Sequence, residues 1–140
     1  MREIVFRGKR KDDGRWIKGY YFKKLNPFTE NGLPITHNIA DIPPFGAEVI
    51  PETVGQFTGL VDRNSKRIFE GDIIKDCDYD HIYTVRYFGD EGYPAFDCHP
   101  ELQFCECNGL SHLVAASAIE VIGNIHDNPE LLERSNENAE

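Results

Sequence analysis

The sequence predicts a mainly β fold, β-rich α+β at most. An N-terminal hairpin region leads to a small SH3-like, barrel-like β-meander closed by a short C-terminal helix. Two aromatic and β-branched runs flank an Asp-Gly turn near the start. Several short β-forming runs are separated by turn residues from about position 53 onward. A Gly71-Asp72 corner feeds the apolar run Ile73-Ile74. Such a pattern reads as hairpins and closes most naturally as a barrel.

In chain order, residues 2–7 place Ile4 and Phe6 on one face of a strand and Val5 on the other. Lys11-Asp12-Asp13-Gly14 is the turn, with Gly14 free to take positive φ. Arg15 to Lys23 returns as a strand, with Trp16, Lys18, Tyr20 and Phe22 on one side and Ile17, Gly19 and Tyr21 on the other. Neither side is purely polar, so both are expected to touch something. Residues 25–47 are punctuated by Pro27, Asn31-Gly32, Pro34, Pro43-Pro44 and Gly46. They read as a long irregular connection with one short strand near Leu33–Ile39, of the kind that is functional, mobile or inserted. Ala47–Ile50 starts a strand that Pro51 ends, and Thr53–Leu60 is a strand or a helical turn opening into one.

Asp62 to Lys66 is a turn, Arg67-Ile68-Phe69 a short strand, and Glu70-Gly71-Asp72 a corner into Ile73-Ile74-Lys75. Tyr83–Phe88 and Tyr93–Cys98 are strands around a Gly89-Asp90-Glu91-Gly92 turn. Residues 99–117 fit either a helical turn or a strand entry, and Ile119–Ile125 is strand-like. Asn128-Pro129-Glu130 is a helix start, with Asn as cap and Pro at the first helical position. That helix is expected to end near Arg134, leaving 135–140 as a disordered acidic tail. The expected organisation is a single domain over 1–134, made of a hairpin and loop part (1–50) and a meander and helix part (51–134).

The 140 residues are 40% hydrophobic, with nine Phe and six Tyr, enough for one or two small cores. No apolar run approaches the ~18 residues of a membrane span. The chain opens on Met1-Arg2-Glu3-Ile4, without the apolar core of a secretory leader, so a cytoplasmic location and reduced cysteines are expected. The net charge of −9 is divided unevenly: residues 1–67 hold 12 Lys+Arg against 8 Asp+Glu, and residues 68–140 hold 3 against 16. Three readings of this split are open: a basic front for nucleic acid, a basic front for the acidic rear of another copy, or an ordinary solvated surface.

Four blocks carry a family likeness. They are Met1-Arg2-Glu3-Ile4-Val5-Phe6-Arg7-Gly8, the run from Pro51 to Leu60 (PETVGQFTGL), the run from Ile68 to Lys75 (IFEGDIIK), and the run from Ile122 to Leu132 (IGNIHDNPELL). In this order they resemble the YopX family of phage and prophage proteins. The resemblance implies a phage context and brings no activity, cofactor or nucleic-acid role with it. Gly55, Phe57, Gly59, Gly71, Asp72, Gly123 and Asn124 fall in these blocks and read as scaffold: tight bends, a core aromatic and side-chain-to-backbone bonds.

The richest candidate for binding is the basic hairpin: Arg7, Lys9, Arg10, Lys11, Arg15, Trp16, Lys18 and Tyr20. Cations can hold phosphates or carboxylates while aromatics stack. The plainer reading is that the aromatics fill a core and the cations guard strand edges against pairing. Cys98-His99, Cys105-x-Cys107 and His112 have the residue types of a zinc site but not its knuckle spacing. Asp76-x-Asp78-x-Asp80 opens like a calcium loop, yet His81 stands where Gly is needed and Tyr87 where Glu is needed. No nucleophile elbow, phosphate loop or zinc-protease helix is present. No cofactor, metal or catalytic residue is therefore assigned. The expected function is a non-enzymatic accessory protein that associates with itself and engages a host or phage protein. The alternatives are a nucleic-acid-binding module using the basic hairpin and, less favoured by the spacing, a metal-dependent enzyme.

Overall fold

The computed structural model describes residues 3–25, 35–41, 45–100 and 108–137. Among these residues ten strands and two α-helices follow one another: β1 (Phe6–Lys9), β2 (Trp16–Leu25), β3 (Ile35–Ala40), β4 (Ala47–Glu48), β5 (Gly55–Val61), β6 (Arg67–Phe69), β7 (Asp72–Asp76), β8 (His81–Tyr87), β9 (Phe96–His99), α1 (Gly109–Ala115), β10 (Ile119–Asn124) and α2 (Glu130–Glu137). The fold is mainly β, as the sequence predicts. The chain forms two compact units, Met1–Phe57 and Thr58–Glu140.

The first unit is an antiparallel sheet in the order β4-β3-β2-β1-β5. β1 and β2 form the expected hairpin, with Arg7 opposite Lys18 and Lys9 opposite Trp16. Its turn is closed by the Arg10 amide on the Arg15 carbonyl (2.8 Å), and Gly14 takes φ 74°. β2 runs on to Leu25 and pairs with β3 over six positions, from Tyr20–Ala40 to Leu25–Ile35. The ends of β1 and β4 then meet. The Lys11 amide donates to the Glu48 carbonyl and the Ile50 amide to the Lys9 carbonyl, both at 2.9 Å, with Arg10 bridged to Val49. The strands thereby curl onto one another around Ile39 and Val49, both buried. Gly8 faces that interior: a Cβ there would lie 3.1 Å from Ile39 Cδ1 and 3.3 Å from Val49 Cβ. The Tyr21 hydroxyl and His37 Nδ1 share a hydrogen bond on the same side, and burial pushes the Tyr21 phenol up from its ordinary pKa.

A 3₁₀ turn at Pro51–Thr53 opens into β5, so the segment read over Thr53–Leu60 as a strand or a helical turn is strand from Gly55, and the turn lies just before it. Thr53 Oγ1 donates to the Ile50 carbonyl (2.7 Å) and accepts from the Lys9 amide (2.9 Å), which anchors the turn to β1.

In the second unit the later part of β5 pairs with β6, and β10-β7-β8-β9 form a four-stranded antiparallel sheet. The hairpin tip and β10 are joined by Asp62. Its Oδ1 accepts from the amides of Asn64 (2.8 Å) and Lys66 (2.9 Å), and its Oδ2 from the amide of Val121 (2.9 Å). The Glu70-Gly71-Asp72 corner is made as expected. Gly71 takes φ 92°, and Asp72 Oδ2 accepts from the Phe69 amide at 2.8 Å. Ile68, Ile74, Tyr83, Val85, Cys98, Leu110, Leu113 and Ile119 form the core.

Residues that read either way from sequence become α1. Asn108 caps it by accepting from the Ser111 amide (2.8 Å), and Asp97 Oδ1 accepts from the Leu110 amide (3.0 Å), tying the helix to β9. A bulge between Val121 and Gly123 bends β10. A Cβ on Gly123 would lie 2.4 Å from Asn128 Oδ1, the atom that accepts from the Asn124 amide. Asn128 is thus engaged with the strand end just before α2. The helix α2 runs to Glu137, past the expected end near Arg134, and residues 138–140 lie outside the described residues. The short strand expected near Leu33–Ile39, within the connection read over 25–47, is β3, and it pairs with the extended β2. Residues 26–34 and 42–44 of that connection lie outside the described residues.

Candidate functional site

The β1–β2 register sorts the hairpin by face. Directly opposed residues of antiparallel strands share a face, so Arg7, Lys9, Trp16, Lys18 and Tyr20 stand together, away from the side that carries Phe6, Gly8, Ile17, Gly19 and Tyr21. This is the division the alternation of β2 predicts. It carries five of the eight residues singled out in the sequence onto one surface.

Trp16 is the centre of that surface. The Arg7 guanidinium carbon lies 4.9 Å from the indole centroid and Lys9 Nζ 5.6 Å from it. The indole thus has cations of its own chain against it, a contact that contributes about 0.5–2 kcal/mol each depending on desolvation. Tyr20 is 58% exposed, and Lys18 and Lys24 are exposed on the same face.

The other three residues stand at the turn end, where carboxylates meet the cations. Arg10 clasps Asp12 with Nε and Nη2 (3.0 and 2.8 Å), and Asp13 lies 3.6 Å away. The hydrogen bond from Arg10 lowers the Asp12 carboxyl to about 2, while Asp12 raises the Arg10 guanidinium. Lys11 Nζ pairs with Glu48 Oε2 at 3.2 Å. Arg15 is exposed, and its amide donates to Asp13 Oδ1 at 2.9 Å. The row of eight cationic and aromatic residues is therefore two groups: a cation–aromatic face and a turn whose charges are largely offset. Asp12 and Asp13 were readable as neighbours in the turn. Glu48 lies 37 positions from Lys11, and no local pattern announces it.

The metal-like clusters behave differently. Cys98 is fully buried in the second core, His99 is exposed on β9 with Nδ1 3.3 Å from Arg86 Nη1, and His112 is exposed on α1. Cys105 and Cys107 lie outside the described residues. Asp76 is buried and holds its own turn by accepting from the amides of Asp78 (3.0 Å) and Tyr79 (3.4 Å), and Asp80 pairs with Lys75 Nζ at 2.8 Å. Among the described residues no three His, Cys, Asp or Glu side chains are grouped to hold a metal ion, and no helix is long and apolar enough to cross a membrane.

The chain matches the family model described as YopX protein over residues 5–133. Among solved structures it is similar to protein EF1440 from Enterococcus faecalis, with 23% identity, 94% of this chain and 99% of that chain covered, and a TM-score of 0.57. At that identity the likeness shows the fold alone. No curated protein matches the chain.

Proposed function

The chain belongs to the YopX family, and from that premise we propose that it is a non-enzymatic phage or prophage accessory module that associates with itself through the outward face of β1–β2. The observation that carries this reading is the gathering of Arg7, Lys9 and Lys18 around Trp16 and Tyr20 on one sheet face, in a chain whose residues 68–140 hold 16 Asp+Glu against 3 Lys+Arg. Complementary fields speed encounter and select orientation.

A protein partner fits this face better than nucleic acid does. Arg10 and Lys11, which would extend a phosphate track, are engaged by Asp12 and Glu48. Arg7 and Lys9 lie against the Trp16 ring on which a base would stack. The net charge of −9 also repels a polyanion at long range.

The test is light scattering of Lys18→Glu beside the wild type at low salt. Lys18 is exposed, circular dichroism verifies that the variant is folded, and the change is expected to weaken association by about tenfold. Association as tight as that of the wild type would remove this face from the contact. A salt-sensitive shift of single-stranded DNA or RNA by the wild type, lost in Lys18→Glu, would instead favour the nucleic-acid reading.

A further inference from the structure

A face of cations around Trp16 and Tyr20 is complemented best by a surface that is acidic and also presents an aromatic ring. The β7–β8 turn of the second unit has both. Tyr79 at its tip is 72% exposed and stacks on His81, with centroids 6.4 Å apart. Asp78 and Asp80 flank it and are exposed. Glu120 lies opposite Lys75 in the β10–β7 register, and the carboxylates Asp78, Asp80 and Glu120 outnumber the neighbouring cations Arg63 and Lys75, the latter paired with Asp80 at 2.8 Å. The turn is also held in shape before any encounter, by the Asp80 amide on the Asp76 carbonyl (2.7 Å) and by the bonds to the Asp76 carboxylate.

Two other acidic regions match less well. At Gly89–Glu91 the nearby rings lie against their own chain: Tyr87 packs on Phe96 at 5.2 Å, and the Tyr93 hydroxyl accepts from Asn108 Nδ2 at 2.7 Å. The first turn of α2 carries Glu130 and Glu133 without an aromatic.

We propose that the β7–β8 turn of one copy docks on the outward β1–β2 face of another, setting Asp78 and Tyr79 against Lys18, Tyr20 and the Arg7–Trp16 pair. This rests on the self-association proposed above. Because the two surfaces differ, the contact is heterologous, and each copy carries one of each. A copy that has lost one surface can still use the other.

That property gives the experiment. Full-length Lys18→Glu/Lys24→Glu alters only the face, and full-length Asp78→Lys/Tyr79→Ser alters only the turn. All four side chains are exposed, and circular dichroism verifies that each variant is folded. In light scattering at low salt, each variant alone is expected to associate at least about tenfold more weakly than the wild type. Their equimolar mixture is expected to form a complex of two chains, one of each kind, joined by the one remaining pair of intact surfaces. A turn variant that assembles as the wild type does, or a mixture no larger than its components, would overturn the docking of β7–β8. Nucleic acid bound by the wild type and the turn variant but not by the face variant would overturn it in favour of that occupant. A monomeric wild type would overturn the self-association itself.

Discussion

Gly19→Ala is expected to destabilise the first unit by about 3 kcal/mol or more, among the largest effects of any single change in this chain. Gly19 sits in β2 at φ 152°, and a Cβ there would lie 2.5 Å from the Ala40 carbonyl oxygen and 2.8 Å from its carbon. The obstacle is backbone of the paired strand, not the tip of a side chain, so relief requires β2 and β3 to part. That pairing carries six registered positions and seats Ile39 in the interior. The single tryptophan, Trp16, lies in this unit, so its fluorescence in a urea titration reports the loss. Gly14→Ala is the control. Gly14 also has positive φ, 74°, but a Cβ there meets nothing within 4 Å, so only about 1–2 kcal/mol of backbone cost is expected. Equal urea midpoints for Gly19→Ala and the wild type would contradict the strand pairing described for this unit.

Asp62→Ala is expected to cost the second unit about 3 kcal/mol, because three amides lose one buried acceptor. Asp62 is 6% exposed, and its two oxygens join the β5–β6 turn to β10 through Asn64, Lys66 and Val121. Burial raises its pKa, but the three amide bonds and the Lys66 charge outweigh burial, and the net shift is downward from 3.8. A carboxyl whose pKa is lower folded than unfolded stabilises the fold above its unfolded pKa. That contribution fades as pH falls through the folded value. The wild type should therefore lose stability below about pH 4 more steeply than Asp62→Ala does. Urea midpoints by far-UV circular dichroism at pH 7, 4 and 3 measure this. Parallel pH profiles for the two proteins would show that Asp62 carries no such linkage.

Local chemistry was legible in the sequence wherever a few adjacent residues determine the geometry. Asp13-Gly14 marked the first hairpin, Pro51 the end of the strand begun at Ala47, and Glu70-Gly71-Asp72 the corner into β7. The alternation Trp16, Lys18, Tyr20 against Ile17, Gly19, Tyr21 also identified the two faces of β2, since a strand has a side-chain period of two. What the sequence concealed depends on residues far apart. The strand near Leu33–Ile39 could be read locally but its partner could not: β3 pairs with a β2 that runs on to Leu25. α1 was ambiguous over Leu113-Val114-Ala115-Ala116. The side chains of Asn108 and Asp97 settle its start, and the second of these comes from a preceding strand. The candidate face was half legible for the same reason: its cations and aromatics are contiguous in sequence, whereas the carboxylate that removes Lys11 from the set is Glu48 of β4.

The self-association proposed for this chain is driven by charge, between residues 1–67 with their excess of Lys+Arg and residues 68–140 with their excess of Asp+Glu, so it is expected to respond to salt. At ~0.15 M ionic strength exposed charges are screened beyond about 8 Å, and at 1 M beyond about 3 Å. Light scattering on a sizing column, at low and at high salt and with the absorbance ratio read on the same peak, measures mass and nucleic-acid content together. The prediction is a discrete oligomer free of nucleic acid at low salt that dissociates towards the 16.0 kDa monomer at high salt. A 16.0 kDa species at both salt concentrations would contradict it.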